Sequence, residues 1–297
     1  MNPPFPSLSR RSFLGVMAGA AVCSLTPDRA WADDAAAPNS KFNGVQIGVI
    51  TYSYRSMPST AEDLLKYILA SGINAGVELM GDAGEKFARA SKNAGENHDR
   101  IVGYKALKKL YNDAGVNIDI IKFGNIGDPK MKDEEIDNLF LDAKALGAKG
   151  ITRELDENAA KRLGPFADKH EIILGFHNHT QIKPDTYDGD ILSHGKYLGI
   201  NLDIGHYVAA TGESPIPLIE KHHDRIISLH LKDRKKGNGP NMPWGQGETP
   251  IKEVLQYMKK NQLTFPAEIE LEYDVPAGSD AIKEVIKCVQ FCKDALE

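Results

Sequence analysis

The sequence predicts an α/β fold: a closed (β/α)8 TIM barrel forming a single domain. Eight short apolar runs alternate with helix-like stretches along the chain. Parallel strands covered on both faces read as such runs. At least five of the runs end in residues able to do chemistry. These are Glu154 in ITREL, His177 and His179 in GFHNH, Asp203 and His206 in NLDIGH, His230 and Lys232 in LHLKD, and Glu270 and Glu272 in IELEY. In a closed barrel the strand C-terminal ends open onto one mouth, so residues far apart in sequence converge. Setting aside residues 1–32 of the 297 leaves 265, close to the roughly 250 typical of one such barrel. A doubly wound open sheet gives the same alternation, but the strand count and the even spread of polar ends favour closure.

The elements follow in order. Val45 to Thr51 reads as the first strand. Ser59-Thr60-Ala61-Glu62 resembles a helix N-cap with acidic first-turn residues, and Leu64, Leu65, Ile68 and Leu69 recur at helical spacing. Val77 to Met80 ends the second strand. The stretch 81–99 is polar and irregular and reads as a long loop over the mouth. Ile101 to Ala114 is helical by period, with Gly115 as its cap. Val116 to Phe123 is the third strand, Asp133 to Leu146 a helix, and Gly150 to Glu154 the fourth strand. Asn158 to His170 is a helix and Ile172 to His177 the fifth strand. Asp188 to His194 is the only helical piece before the sixth strand, Leu198 to Asp203. Ile216 to His222 is a short helix, Ile226 to His230 the seventh strand, and Lys235 to Glu248 a Gly-rich loop. Pro250 to Asn261 is a helix with Pro near its first turn, where a missing N–H is harmless. Ala267 to Glu270 is the eighth strand, and Asp280 to Leu296 the last helix.

The N-terminus reads as an export signal. Ser9-Arg10-Arg11-Ser12-Phe13-Leu14 is a twin-arginine signature, Gly15 to Leu25 is apolar, and Ala30-Trp31-Ala32 is a small-x-small cleavage site. Residues 1–32 are thus a twin-arginine signal peptide, 33–43 a flexible leader and 44–297 the barrel. The expected location is periplasmic or secreted, with the twin-arginine machinery as a partner. The full chain carries −5; residues 1–32 hold Arg10, Arg11 and Arg29 against Asp28, a net of +2, so the remainder carries −7. An acidic surface argues against nucleic-acid binding, which needs basic patches. No apolar run after residue 32 is long enough to span a bilayer. Cys288 and Cys292, four apart on one helix face, read as buried free thiols.

Glu154, Asp203, His230 and Glu270 stand one each at four strand ends, and such a set suits Mn, Mg, Co or Zn without choosing among them. Carboxylates gathered side by side repel unless a cation or protons intervene. Glu268, Glu270 and Glu272 alternate and share one strand face. Glu270 is the first choice as ligand, with Glu272 above it near the substrate, although a one-step error in depth exchanges them. His177 and His179 also share a face and suit hydrogen bonds to a polar substrate; His179 is open as an extra ligand. His206 is placed in the loop after Asp203. Lys232 shares the face of His230, with a surface lysine as the alternative. Trp244 fits either a sugar-stacking platform or a packing anchor for its loop. His170, His194, His222 and His223 read as surface residues without a role.

NLDIGH, then LHLKDR, then GQGE before a helix, then IELEY, resembles the xylose isomerase-like TIM-barrel superfamily of sugar isomerases and epimerases, which also includes inosose dehydratases and endonuclease IV. The resemblance is strongest from 150 to 274. It implies one divalent metal on Glu154, Asp203, His230 and Glu270, with the two glutamates as the acid–base pair, and it matches Lys232 and His206 to further site positions. Endonuclease IV uses three metals and a basic face, and this acidic chain lacks that full set. The implied activity is a metal-dependent isomerase or epimerase acting on a non-phosphorylated sugar or keto-sugar. Lyase or hydrolytic chemistry on a 3-keto-glycoside or polyol is the alternative, and a non-catalytic sugar-binding protein the reading from another class. An oligomer is compatible with all three.

Overall fold

The structure is a computed structural model that describes residues 39–95 and 99–297. The twin-arginine segment 1–32 and most of the expected leader lie outside the described residues. The end of that leader is ordered, which corrects the 33–43 boundary. Lys41–Phe42 form β1, paired antiparallel with β2 (Val45–Ile50). Asn43 and Gly44 join them with φ of 45° and 94°, the left-handed pair a two-residue hairpin turn requires. Buried Ser40 bonds to Asn74 through both its N–H and its hydroxyl.

Eight parallel strands close the barrel. They are β2, β3 (Val77–Met80), β4 (Ile118–Lys122), β5 (Gly150–Glu154), β6 (Ile173–His177), β7 (Leu198–Asp203), β8 (Ile226–Leu231) and β9 (Ala267–Ile269). Closure is the pairing of β2 with β9, Ile47 opposite Ala267 and Val49 opposite Ile269. The surrounding helices are α1 (Ala61–Ala70), α2 (Gly81–Arg89), α3 (Ser91–Ala94), α4 (Arg100–Asp113), α5 (Asp133–Leu146), α6 (Glu157–His170), α7 (Ile204–Thr211), α8 (Ile216–His222), α9 (Ile251–Lys260) and α10 (Ala281–Leu296). Their apolar stripes cover the strands. Leu64, Leu65 and Ile68 of α1 and Val254, Leu255 and Met258 of α9 are all buried. Each such side chain contributes about 1.5–3 kcal/mol of transfer free energy. Among the described residues, no helix is long and apolar enough to cross a membrane.

Three expectations change. The loop 81–99 is largely helical, as α2 and α3. The buried residues of α2 are Gly81, Ala83, Gly84 and Ala88, so its packed face is made of small side chains that leave little apolar periodicity to read. His206 sits in the first turn of α7 rather than in a loop, because Asp203 caps that helix, its Oδ1 accepting from the His206 N–H at 2.6 Å. Cys288 and Cys292 are buried free thiols, as expected. His170 is buried instead of surface-exposed, stacked on Phe140 and bonded to Asp137.

The strand pleat carries the architecture into the site. Thr152 and Glu154, Asn201 and Asp203, Ser228, His230 and Lys232, and Glu268, Glu270 and Glu272 repeat at the two-residue period that puts side chains on one face. Interleaved Ile151, Leu202, Leu229, Leu231, Ile269 and Leu271 are buried apolar residues. The barrel is therefore polar inside from mid-height to the mouth and apolar between sheet and helices.

Candidate active site

Four buried side chains converge at the mouth. His177 closes β6, Asp203 closes β7, His230 lies in β8, and Glu270 follows β9. Each offers one donor atom, and these four atoms lie within 4.8 Å of one another. Strand register sets the arrangement: His177 is opposite Asn201, Asp203 opposite His230, and His230 opposite Glu268. Glu270 Oε2 lies 3.2 Å from His230 Nδ1. Lys232 is buried against three carboxylates, with Nζ 2.9 Å from Asp203, 2.8 Å from Glu270 and 2.6 Å from Glu272.

The donor chemistry fits a divalent cation. His177 Nδ1 lies 2.7 Å from Asn201 Oδ1, while the Asn201 amide nitrogen bonds to Ser228 and Glu78. The amide oxygen can only accept, so His177 carries its proton on Nδ1 and presents a bare Nε2. Burial and the ammonium of Lys122 hold its pKa well below the usual imidazole range. Asp203 Oδ2 is buried and unmatched by any aligned hydrogen bond, although Lys232 lies near it. Burial raises the Asp203 pKa to about 6, Lys232 opposing and Glu270 adding to the rise. Glu270 is shifted the other way: burial would raise it, but Lys232 and His230 hold it well below the ordinary carboxylate range. For Lys232, Asp203, Glu270 and Glu272 outweigh burial and keep the ammonium charged. Asp203, Glu270 and Glu272 share the single ammonium of Lys232, three carboxylates to one cation, and a metal ion would relieve that excess.

Glu154 departs from the expected ligand set. Its carboxylate, 40% exposed, pairs with Lys122 at 2.9 Å and with His179 at 3.2 Å, and it belongs to none of the close donor clusters among the described residues. In the close set the fourth donor beside Asp203, His230 and Glu270 is His177. His179 is exposed and forms a second close set with His177 and His206. Burial and Lys232 lower the His206 pKa to about 3. Its ring nitrogens lie 2.9 Å from Lys232 Nζ and 2.6 Å from Arg234 Nη1. Glu270 and Glu272 keep their expected order in depth, Glu270 being 5% exposed and the Glu272 side chain 20%. Trp244 packs edge-on against Phe291 of α10, with ring centroids 5.6 Å apart. That contact is the one the packing-anchor alternative expects.

Several contributors escaped the sequence reading. Glu78, in VELM, and Lys122, closing IDIIK, are buried charges inside apolar runs, and that incongruity was their signal. Asn178 holds the ends of β6 and β7 together, accepting from the Asp203 N–H at 3.0 Å and donating to its carbonyl at 3.1 Å. Asp233 gathers the N–H groups of Gly245, Gly247 and Thr249. A Cβ on Gly247 would strike the Asp233 carboxylate, which explains the glycine in GQGE.

The chain belongs to the xylose isomerase-like TIM barrel family, whose sequence profile matches residues 140–292, just over half of the chain. It is similar to an inosose dehydratase of Salmonella agona, 28% identical over 133 residues. That match covers 38% of this chain and 44% of the relative, so the chain spans less than half of the curated protein's length. Solved structures share the fold. The probable 3-DHS dehydratase AsbF of Bacillus anthracis superposes with a TM-score of 0.64 at 14% identity, over 82% of this chain and 98% of its own. A sugar phosphate isomerase/epimerase of Parabacteroides distasonis gives 0.57 at 20% identity, over 90% and 97%. An L-ribulose 3-epimerase gives 0.60 at 11%, over 85% and 95%.

Proposed function

We propose that the protein is a metal-dependent isomerase or epimerase of a non-phosphorylated sugar or keto-sugar. The observation that carries the reading is the buried His177, Asp203, His230, Glu270 set with a half-exposed Glu154 beside it. The first four would hold one divalent ion, of Mn, Mg, Co or Zn, and the ion would polarise adjacent carbonyl and hydroxyl oxygens of the substrate. Glu154 is exposed enough to meet a substrate C–H, and it takes the proton. Lys122 and His179 hold its carboxylate between them. Lys232 and His206 donate to the substrate oxygen on which negative charge develops. Glu272 accepts a hydroxyl, and Glu270, beside Lys232, completes the acid–base pair by passing a proton taken up from solvent to the substrate carbon. A carbohydrate partner and an exported, periplasmic or secreted location belong to the same reading, the latter from the Arg10-Arg11 segment.

A second reading is supported by the likeness to an inosose dehydratase. The same proton abstraction next to a carbonyl permits β-elimination, with loss of water or an alcohol. Metal analysis of the purified protein, with a keto-sugar panel followed by mass and by deuterium uptake from D₂O, separates the two. Epimerisation exchanges the proton and conserves mass, whereas elimination releases a leaving group. A protein that exchanges no proton with any keto-sugar would leave a binding role in place of both.

A further inference from the structure

A second polar layer lies beneath the proposed metal site, and the mechanism above leaves it unused. Its centre is Glu78 of β3, which is fully buried. Its Oε1 accepts the Thr152 hydroxyl at 2.6 Å. Its Oε2 lies 3.0 Å from His230 Nε2 and 3.3 Å from Asn201 Nδ2. Asn201 in turn holds His177 Nδ1 at 2.7 Å and Ser228 Oγ at 2.6 Å. One carboxylate therefore bears on both imidazoles of the mouth, directly on His230 and through Asn201 on His177. Glu268 sits at the same His230 nitrogen, but at 3.4 Å and with neither oxygen in a hydrogen bond.

We propose that Glu78 is the positioning residue of the metal site. It takes the Nε2–H of His230, which turns Nδ1 toward Asp203 and Glu270. It also holds the Asn201 amide so that its oxygen faces His177 Nδ1, leaving His177 Nε2 for the cation. A histidine held this way from behind has a fixed ring orientation and a more basic donor atom. Glu268 does not share the role, because it lacks an aligned bond to the imidazole. The inference rests on the proposed metal site.

The test is Co²⁺ titration of the EDTA-stripped full-length protein, followed by visible absorption. Glu78→Gln is expected to weaken Co²⁺ binding about 10- to 100-fold and to shift the absorption bands. Glu78→Leu, which removes the acceptor, loses more. Thr152→Val frees one Glu78 oxygen and weakens binding a few-fold, while Glu268→Gln stays close to wild type. If Glu78→Leu fails to fold, Glu78→Gln and Thr152→Val carry the test. Folded Glu78 variants with wild-type affinity and spectrum would overturn the proposal, as would an equal loss in Glu268→Gln. A wild-type protein that binds neither Co²⁺ nor Mn²⁺ would remove the metal reading itself, a result distinct from wild-type binding with insensitive variants.

Discussion

The floor and the rim of this barrel use the same residue types to opposite ends. On the floor, Glu78, His230 and Glu268 are fully buried. At the rim, the side chains of Glu154 and His179 are 40% and 56% exposed. An ionised side chain out of water needs a partner or a proton, and the floor shows both solutions on one imidazole. Burial would raise the Glu78 pKa, but His230 and its other partners hold it low. Burial drives Glu268 well above the ordinary range. Burial alone would lower the His230 pKa, but Glu270 and Glu78 raise it well above normal. At the rim, water shares the load, and the proposed mechanism puts its proton abstraction there, at Glu154. In the proposed reading the floor holds geometry and the rim does the chemistry.

The largest expected effect breaks that division where floor and rim meet. Glu270→Gln removes a donor from the metal set and a carboxylate from Lys232. Metal content should fall below stoichiometry, and proton exchange from D₂O should drop by about 10³-fold or more. Retention of both would show that Glu270 belongs to neither. Next comes Glu154→Gln, a change confined to the rim. Exchange should fall by about 10²–10⁴-fold, with metal content unchanged. Loss of metal in this variant would return Glu154 to the ligand set.

Trp244→Ala tests a residue placed outside both layers. Its contact with Phe291 predicts a stability loss of about 1–3 kcal/mol by denaturant titration, since the ring is only partly buried, and no change in KM. A raised KM with unchanged stability would restore the sugar-stacking role. The smallest effect belongs to the helix layer. Burial raises the Asp142 pKa to about 6, although Arg100 lies 2.7 Å away and pulls it down. A carboxyl that holds its proton more tightly when folded adds stability at low pH and loses it as pH rises through about 6. Asp142→Asn should flatten that slope by about 1 kcal/mol between pH 4 and 7, read from unfolding midpoints across pH.

The fold and much of the site were legible in the sequence because both rest on short-range patterns. Alternating apolar runs specify strands, and a two-residue period puts Asp203, His230, Lys232 and Glu270 on inward faces near strand ends. Asn43-Gly44 is a hairpin dipeptide by composition, but it straddles the boundary between the expected leader and the barrel and went unread. The small-residue face of α2 was invisible because Gly and Ala leave hardly any hydropathy contrast.

Local pattern determined which side chains point inward. It did not determine which of them stand at one height. Tertiary structure seated His177 rather than Glu154 with Asp203, His230 and Glu270, paired Glu154 with Lys122, and put Glu78 under His230. The reason is geometric: closing a barrel tilts and staggers its strands. Neighbours in the site are then set by the register of the whole sheet, which no single segment encodes.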